Sequence, residues 1–172
     1  MKNVGFSGGA LTVQLGKSDD MLLFFKCIKV VASEVGGGND WSLITDKLYR
    51  RYLSLEDAMS AANLMEVLRS RFASAFCDEE PWRKIIIEAK KDSLLPVTHV
   101  TLLDLFNRYF SAFSECFESA MVMHNEFKEF PGYKYEPLKI VRTDMPQNLE
   151  DHHRSLSEFD ELTKEAQPFW LR

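Results

Sequence analysis

Four histidines, three cysteines and two closely spaced carboxylate pairs are the residues of this chain whose chemistry could reach beyond packing. A helical metal site needs two ligands on one face, as in His-Glu-x-x-His. His99, His124, His152 and His153 contain no such pair, and the adjacent His152 and His153 would point to different sides of a helix. A serine nucleophile set on a Gly-x-Ser-x-Gly turn does not occur either. Cys77 has the most polar sequence neighbours of the three thiols, namely Asp78, Glu79 and Glu80. Those acids disfavour the thiolate and so argue against a nucleophile. Cys27 and Cys116 sit among apolar neighbours and read as core residues. The early glycines precede a strand and not a helix start, so a phosphate-cradling loop is not expected. Glu115 with Glu118 and Glu158 with Glu161 have i,i+3 spacing but no third polar partner, and they read as solvated helix faces. No catalytic, cofactor-binding or metal-ligating set is complete. The residues therefore predict a protein that binds another protein, with no cofactor and no small-molecule substrate.

Charge says which kind of protein. The 172 residues carry 26 acids against 21 Lys and Arg, a net charge of −5. Between 144 and 165 lie Asp144, Glu150, Asp151, Glu158, Asp160, Glu161 and Glu165 against only Arg154 and Lys164. A chain without a basic patch lacks the phosphate contacts that supply most nucleic-acid affinity. A basic protein surface is the better electrostatic match. The expected partner contacts are Glu150, Asp151, Glu158, Asp160 and Glu161. Asp78, Glu79 and Glu80 form a second candidate group, with Trp82 either as an aromatic anchor beside them or as a core residue. Met21 to Phe25 is the longest apolar run, far short of the roughly 20 residues of a bilayer span. The N-terminus has no apolar signal segment, and three widely spaced cysteines suit reduced thiols. Both point to the cytoplasm.

The elements that would position these groups follow from periodicity. Leu11, Val13 and Leu15 alternate with Thr12 and Gln14, a half-buried strand that pairs with Lys2–Phe6 through a Ser7-Gly8-Gly9 turn. Ser18 caps a helix from Asp19 to Val35, ended by Gly36, Gly37 and Gly38. Asp40 caps a second helix from Trp41 to about Tyr52. Ser54 caps a third, whose buried face is Ala58, Ala61, Leu64, Met65, Leu68, Phe72 and Ala75. The β-branched run Lys84–Glu88 reads as a strand. Thr101 and Asp104, with Thr98 as a competing cap, start a helix of about 25 residues. Its apolar stripe runs Leu102, Phe106, Tyr109, Phe113, Cys116, Ala120, Met123 and Phe127. Leu138–Arg142 suggests another strand, and Asn148 can cap a final acidic helix to about Glu165. The apolar tail Pro168–Leu171 is expected to dock on the body. These add up to a single α+β domain over residues 1–172, with a small antiparallel sheet from the hairpin and the segments near Ile86 and Ile140. Four or five helices pack against it.

Several of these features, in this order, resemble bacterial toxin-immunity proteins of polymorphic-toxin and contact-dependent growth inhibition systems, in particular the immunity protein 70 type. They are the strand Ala10–Leu15 ending in Gly16, the apolar helix with Leu22 to Phe25, and Trp41 ahead of Leu48 and Tyr49. The Leu53–Ala58 helix start with Leu64, Val67, Leu68 and Arg69 follows, and then Glu80, Pro81 and Trp82. The likeness covers about the first half of the chain and, more loosely, Thr101–Phe127. It implies a cytoplasmic antidote that binds and neutralises a cognate toxin domain, commonly a nuclease. The sequence also leaves open an intracellular adaptor or regulatory subunit, or an enzyme with an unfamiliar site.

Overall fold

The computed structural model describes residues 2–89, 100–135, 137–144 and 168–171, and the N-terminal alternation does form a hairpin. β1 (Asn3–Gly8) pairs antiparallel with β2 (Leu11–Lys17), and the chain turns at Gly9 and Ala10. The register slips between Val4, opposite Gly16, and Gly5, opposite Gln14, so Leu15 is the extra residue of a bulge. Gly5 makes this possible, because a Cβ there would lie 2.1 Å from the Val13 carbonyl oxygen.

β2 runs directly into α1 (Ser18–Val35). Ser18 is the first helical residue and not the cap. Its N–H donates to the Lys2 carbonyl at 2.9 Å, and Lys17 holds the cap position without a side-chain hydrogen bond. Asp19 and Asp20 do lie in the first turn, and Gly36 at φ 62° closes the last one. The next helix is shorter than its periodicity suggests. Asp40 accepts from the Ser42 N–H at 3.2 Å, a π-helical segment spans Leu43–Leu48, and Tyr52 already belongs to β3 (Tyr52–Leu53). α2 (Leu55–Ala73) starts at the predicted cap, where Ser54 Oγ accepts from the Asp57 N–H at 3.2 Å. All seven of its predicted core residues are buried.

Lys84–Glu88 is not a strand. It forms α3 (Trp82–Glu88), because the residues that need burial, Trp82 and Ile86, stand four apart while Ile87 is exposed. Lys84 and Glu88 then face each other at i,i+4. The sheet takes its fourth strand from β3 instead. With β4 (Leu138–Arg142) its order is β2-β1-β4-β3, antiparallel throughout. The coarse expectation of a small antiparallel sheet packed against helices is what the chain forms. No helix among the described residues is long and apolar enough to cross a membrane.

α4 (Leu102–Phe127) opens with a full capping box. The Asp104 carboxylate accepts from the Thr101 N–H at 2.9 Å, and Thr101 Oγ1 accepts from the Asp104 N–H at 3.2 Å. The helix packs on β1, β2 and α2. Phe113 meets Phe6 of the sheet edge-on at 5.9 Å. Phe24 of α1 sits among Phe25, Phe72, Phe106, Tyr109 and Phe110, all with centroids within 6.0 Å. The fully buried part of the stripe ends at Ala120, and Phe127 is 41% exposed, not core. Length explains this: 26 residues of helix span about 39 Å, while the seven residues of β2 span about 23 Å. The C-terminal tail docks as expected. Trp170 is buried, lies 5.6 Å from the Tyr49 ring, and its Nε1 donates to the Tyr49 carbonyl at 2.9 Å.

Candidate functional site

Asp78, Glu79 and Glu80 follow a segment that is tied down on both sides. Phe76 bridges Thr101 at the start of α4, the Cys77 N–H donates to Val100 O at 2.9 Å, and the Leu102 N–H donates to Ala75 O at 2.8 Å. After the acids comes Trp82, which opens α3 and is 7% exposed. Within the turn, the Glu79 N–H donates to Phe76 O and the Arg83 N–H to Glu79 O, at 3.1 and 3.0 Å. Three consecutive exposed carboxylates therefore stand on a short, anchored turn, and none pairs with a base among the described residues.

This arrangement settles the two readings of Trp82. Its indole is part of the core, at 7% exposure, and cannot be a surface anchor. The three acids before it remain exposed. The other expected contacts, Glu150, Asp151, Glu158, Asp160 and Glu161, lie outside the described residues, as do His99, His152 and His153. Asp144, at the start of the acid-rich stretch, is already engaged: Arg142 holds its carboxylate with contacts of 2.7 and 2.6 Å. This bidentate contact lowers the carboxyl to about pKa 2. An acid whose folded pKa is depressed contributes stability above its unfolded value and loses it on the way down. Asp144→Asn should therefore melt below the wild type at pH 7, with the gap closing between pH 4 and pH 2. A gap that persists at pH 2 in thermal melts would show that the ion pair is not its source.

The Cys77 thiol is raised, the direction its neighbouring acids suggest, but chiefly by burial, and Cys27 and Cys116 are core residues as their apolar neighbours indicate. Cys77 is fully buried despite its polar neighbours in sequence. Burial is the main cause that pushes it up to about 11, ahead of Asp104 and Asp78. Burial likewise raises Cys27 to about 12 and Cys116 to about 11. Iodoacetamide at pH 8 should leave all three unmodified in the folded protein and label all three in guanidinium. Rapid native labelling at any of them, read by mass spectrometry, would contradict the burial. Among the described residues, no three His, Cys, Asp or Glu side chains are grouped to hold a metal ion. Glu115 and Glu118 are exposed on α4, and Glu115 is paired with Arg108 at 2.9 Å.

One surface went unnoticed in the sequence. Beyond Ala120, Val122 is 54% exposed, and Phe127 and Phe130 form an exposed aromatic pair with centroids 5.7 Å apart. The signal was present as a mismatch of lengths, since an apolar stripe of this reach outruns any seven-residue strand. The chain matches no family model, no curated protein and no solved structure, so what it does must be read from these surfaces.

Proposed function

We propose that the protein is an immunity-type inhibitor that binds a basic toxin domain, a nuclease by preference, and blocks its active site or substrate surface. The observation that carries this reading is the anchored turn with three exposed carboxylates, Asp78, Glu79 and Glu80. A nuclease must present Lys and Arg to a polyanion, and a row of fixed carboxylates competes for those same cations. Fixing matters because a contact made by a pre-ordered turn loses little conformational entropy on binding. The net charge of −5, to which Glu150, Asp151, Glu158, Asp160 and Glu161 contribute, adds long-range attraction that raises the association rate.

The double variant Glu79→Lys/Glu80→Lys tests the site without testing the core. Both side chains are exposed, so stability should change by no more than about 0.5 kcal/mol. Association with the protein encoded immediately upstream, followed by stopped-flow fluorescence at low salt, should slow about tenfold or more. An unaltered association rate would remove this turn from the interface.

A further inference from the structure

β2 is an edge of the sheet, and the order β2-β1-β4-β3 leaves its outer side without a neighbouring strand among the described residues. Which of its main-chain groups face outward follows from β1. The Asn3 carbonyl accepts from the Thr143 N–H at 2.9 Å, so Asn3 turns toward the β4 side. Gly5 and Ser7, its alternates, share that direction, while Val4, Phe6 and Gly8 turn toward β2. Phe6 with Val13 and Gly8 with Leu11 are then the hydrogen-bonded pairs of the hairpin. Thr12, opposite Ser7, and Gln14, opposite Gly5, direct their N–H and C=O groups away from β1. None of these four groups has a partner among the described residues, and both side chains are exposed. The free row is short. Toward the turn, the Ala10 N–H is taken by Ser119 Oγ at 3.1 Å; toward α1, the bulge at Leu15 interrupts the pleat.

We propose that this edge is the seam of a homodimer, in which two copies of β2 pair antiparallel about a two-fold axis at Val13. The seam is independent of the acidic turn at 78–80 and of the toxin reading. In this register Thr12 lies opposite Gln14 of the second copy. Each copy offers two donors and two acceptors, and four hydrogen bonds use all of them. A shift of two residues would set Thr12 against itself and leave Gln14 facing Ala10, whose N–H is already used. On the helix side of the sheet, half-buried Leu11 meets Leu15 of the second copy and Val13 meets its own counterpart. The apolar layer therefore continues across the seam. Charge does not oppose it: Lys17 is the only charged residue of β2 and would lie opposite Gly9, outside the bonded stretch. α4 leaves room as well. It passes over β1, where a Cβ at Gly8 would lie 2.5 Å from the Cys116 carbonyl oxygen. Across the seam the two β1 strands stand three strand spacings apart, about 14 Å. Packed helices need only about 8 to 10 Å between axes.

Sedimentation equilibrium of the full chain tests the seam. Contact along one short strand falls at the small end of protein interfaces, so a dimer dissociation constant of about 100 µM is expected. Thr12→Pro removes an outward N–H that no described group uses, and an edge strand tolerates proline at such a position. With a native circular dichroism spectrum, this variant should dimerise at least about tenfold more weakly, since each dimer loses two of its four hydrogen bonds. Thr12→Val keeps the N–H and loses only the 3.0 Å bond from Thr12 Oγ1 to Ser7 Oγ, so it should dimerise like the wild type. Mixing Thr12→Cys chains with Gln14→Cys chains under mild oxidation reads the register. The opposed positions have Cα atoms about 5.5 Å apart, within reach of a disulfide, whereas the three native cysteines are buried. Mixed disulfides should outnumber those formed within either variant alone. A monomer at every concentration up to about 500 µM, an undiminished dimer of Thr12→Pro, or equal crosslinking within one variant would each overturn the proposal. Should Thr12→Pro fail to fold, the crosslinking pattern decides alone.

Discussion

Phe24→Ala is expected to lower the unfolding free energy by about 4 kcal/mol, within the range for removing a fully buried aromatic ring. Phe24 is the point where α1, α2 and α4 meet. Its ring contacts Phe72 of α2 and Phe106, Tyr109 and Phe110 of α4, at 4.8 to 6.0 Å. Those neighbours are themselves in contact, Phe72 with Phe106 and Phe110, and Phe106 with Tyr109, so they cannot collapse far into the gap. A cavity that stays open costs the most. Phe24→Leu keeps most of the volume and should cost about 1.5 kcal/mol. Urea unfolding followed by tryptophan fluorescence reads both. A loss below about 1 kcal/mol for the alanine variant would mean that the cluster repacks and is not the structural centre. For a domain of ordinary stability, near 10 kcal/mol, the predicted loss is a large fraction.

Gly9→Ala should be nearly as damaging, for a backbone reason. Gly9 has φ 58°, which costs any other L-residue about 1 to 2 kcal/mol. In addition, a Cβ at this position would lie 2.6 Å from the Ser119 carbonyl carbon and oxygen and 2.7 Å from the Ala120 nitrogen. All three are main-chain atoms of α4, so the hairpin tip would have to lift off the helix. Overpacking of this sort adds about 1 to 3 kcal/mol, for a total near 3. Ser119→Ala is the control. It removes only the hydrogen bond from the Ala10 N–H to Ser119 Oγ and should cost about 1 kcal/mol. If Gly9→Ala cost no more than Ser119→Ala in the same urea series, the close approach would be wrong.

Local signals carried much of the fold. The Thr101 and Asp104 box, the Ser54 cap, the glycine stop after Val35 and the alternation of Leu11, Val13 and Leu15 each depend on neighbours a few residues away. Each appears where those neighbours place it. The failures came where partners are distant in sequence. Lys84–Glu88 has β-branched composition, but its burial is decided by α1, which wants Trp82 and Ile86 on one side. The fourth strand falls at Tyr52 and Leu53, which pair with Lys139 and Leu138 and show no alternation of their own. Cys77 illustrates the same point for chemistry. Its neighbours in sequence are acidic, yet its environment is set by α4 and by burial. The candidate site was legible as composition, three acids in a row. That the turn is clamped while Trp82 lies inside was not, since it depends on the bridge between Phe76 and Thr101.

Isothermal titration of the purified protein into the protein encoded immediately upstream, at low and at physiological salt, decides whether the protein is an immunity-type inhibitor. The expected result is a one-to-one complex with a Kd below about 1 µM that weakens with added salt, together with loss at equivalence of any toxic activity the upstream protein shows alone. No heat of binding at low salt, with toxin activity unaffected by excess protein, would contradict it.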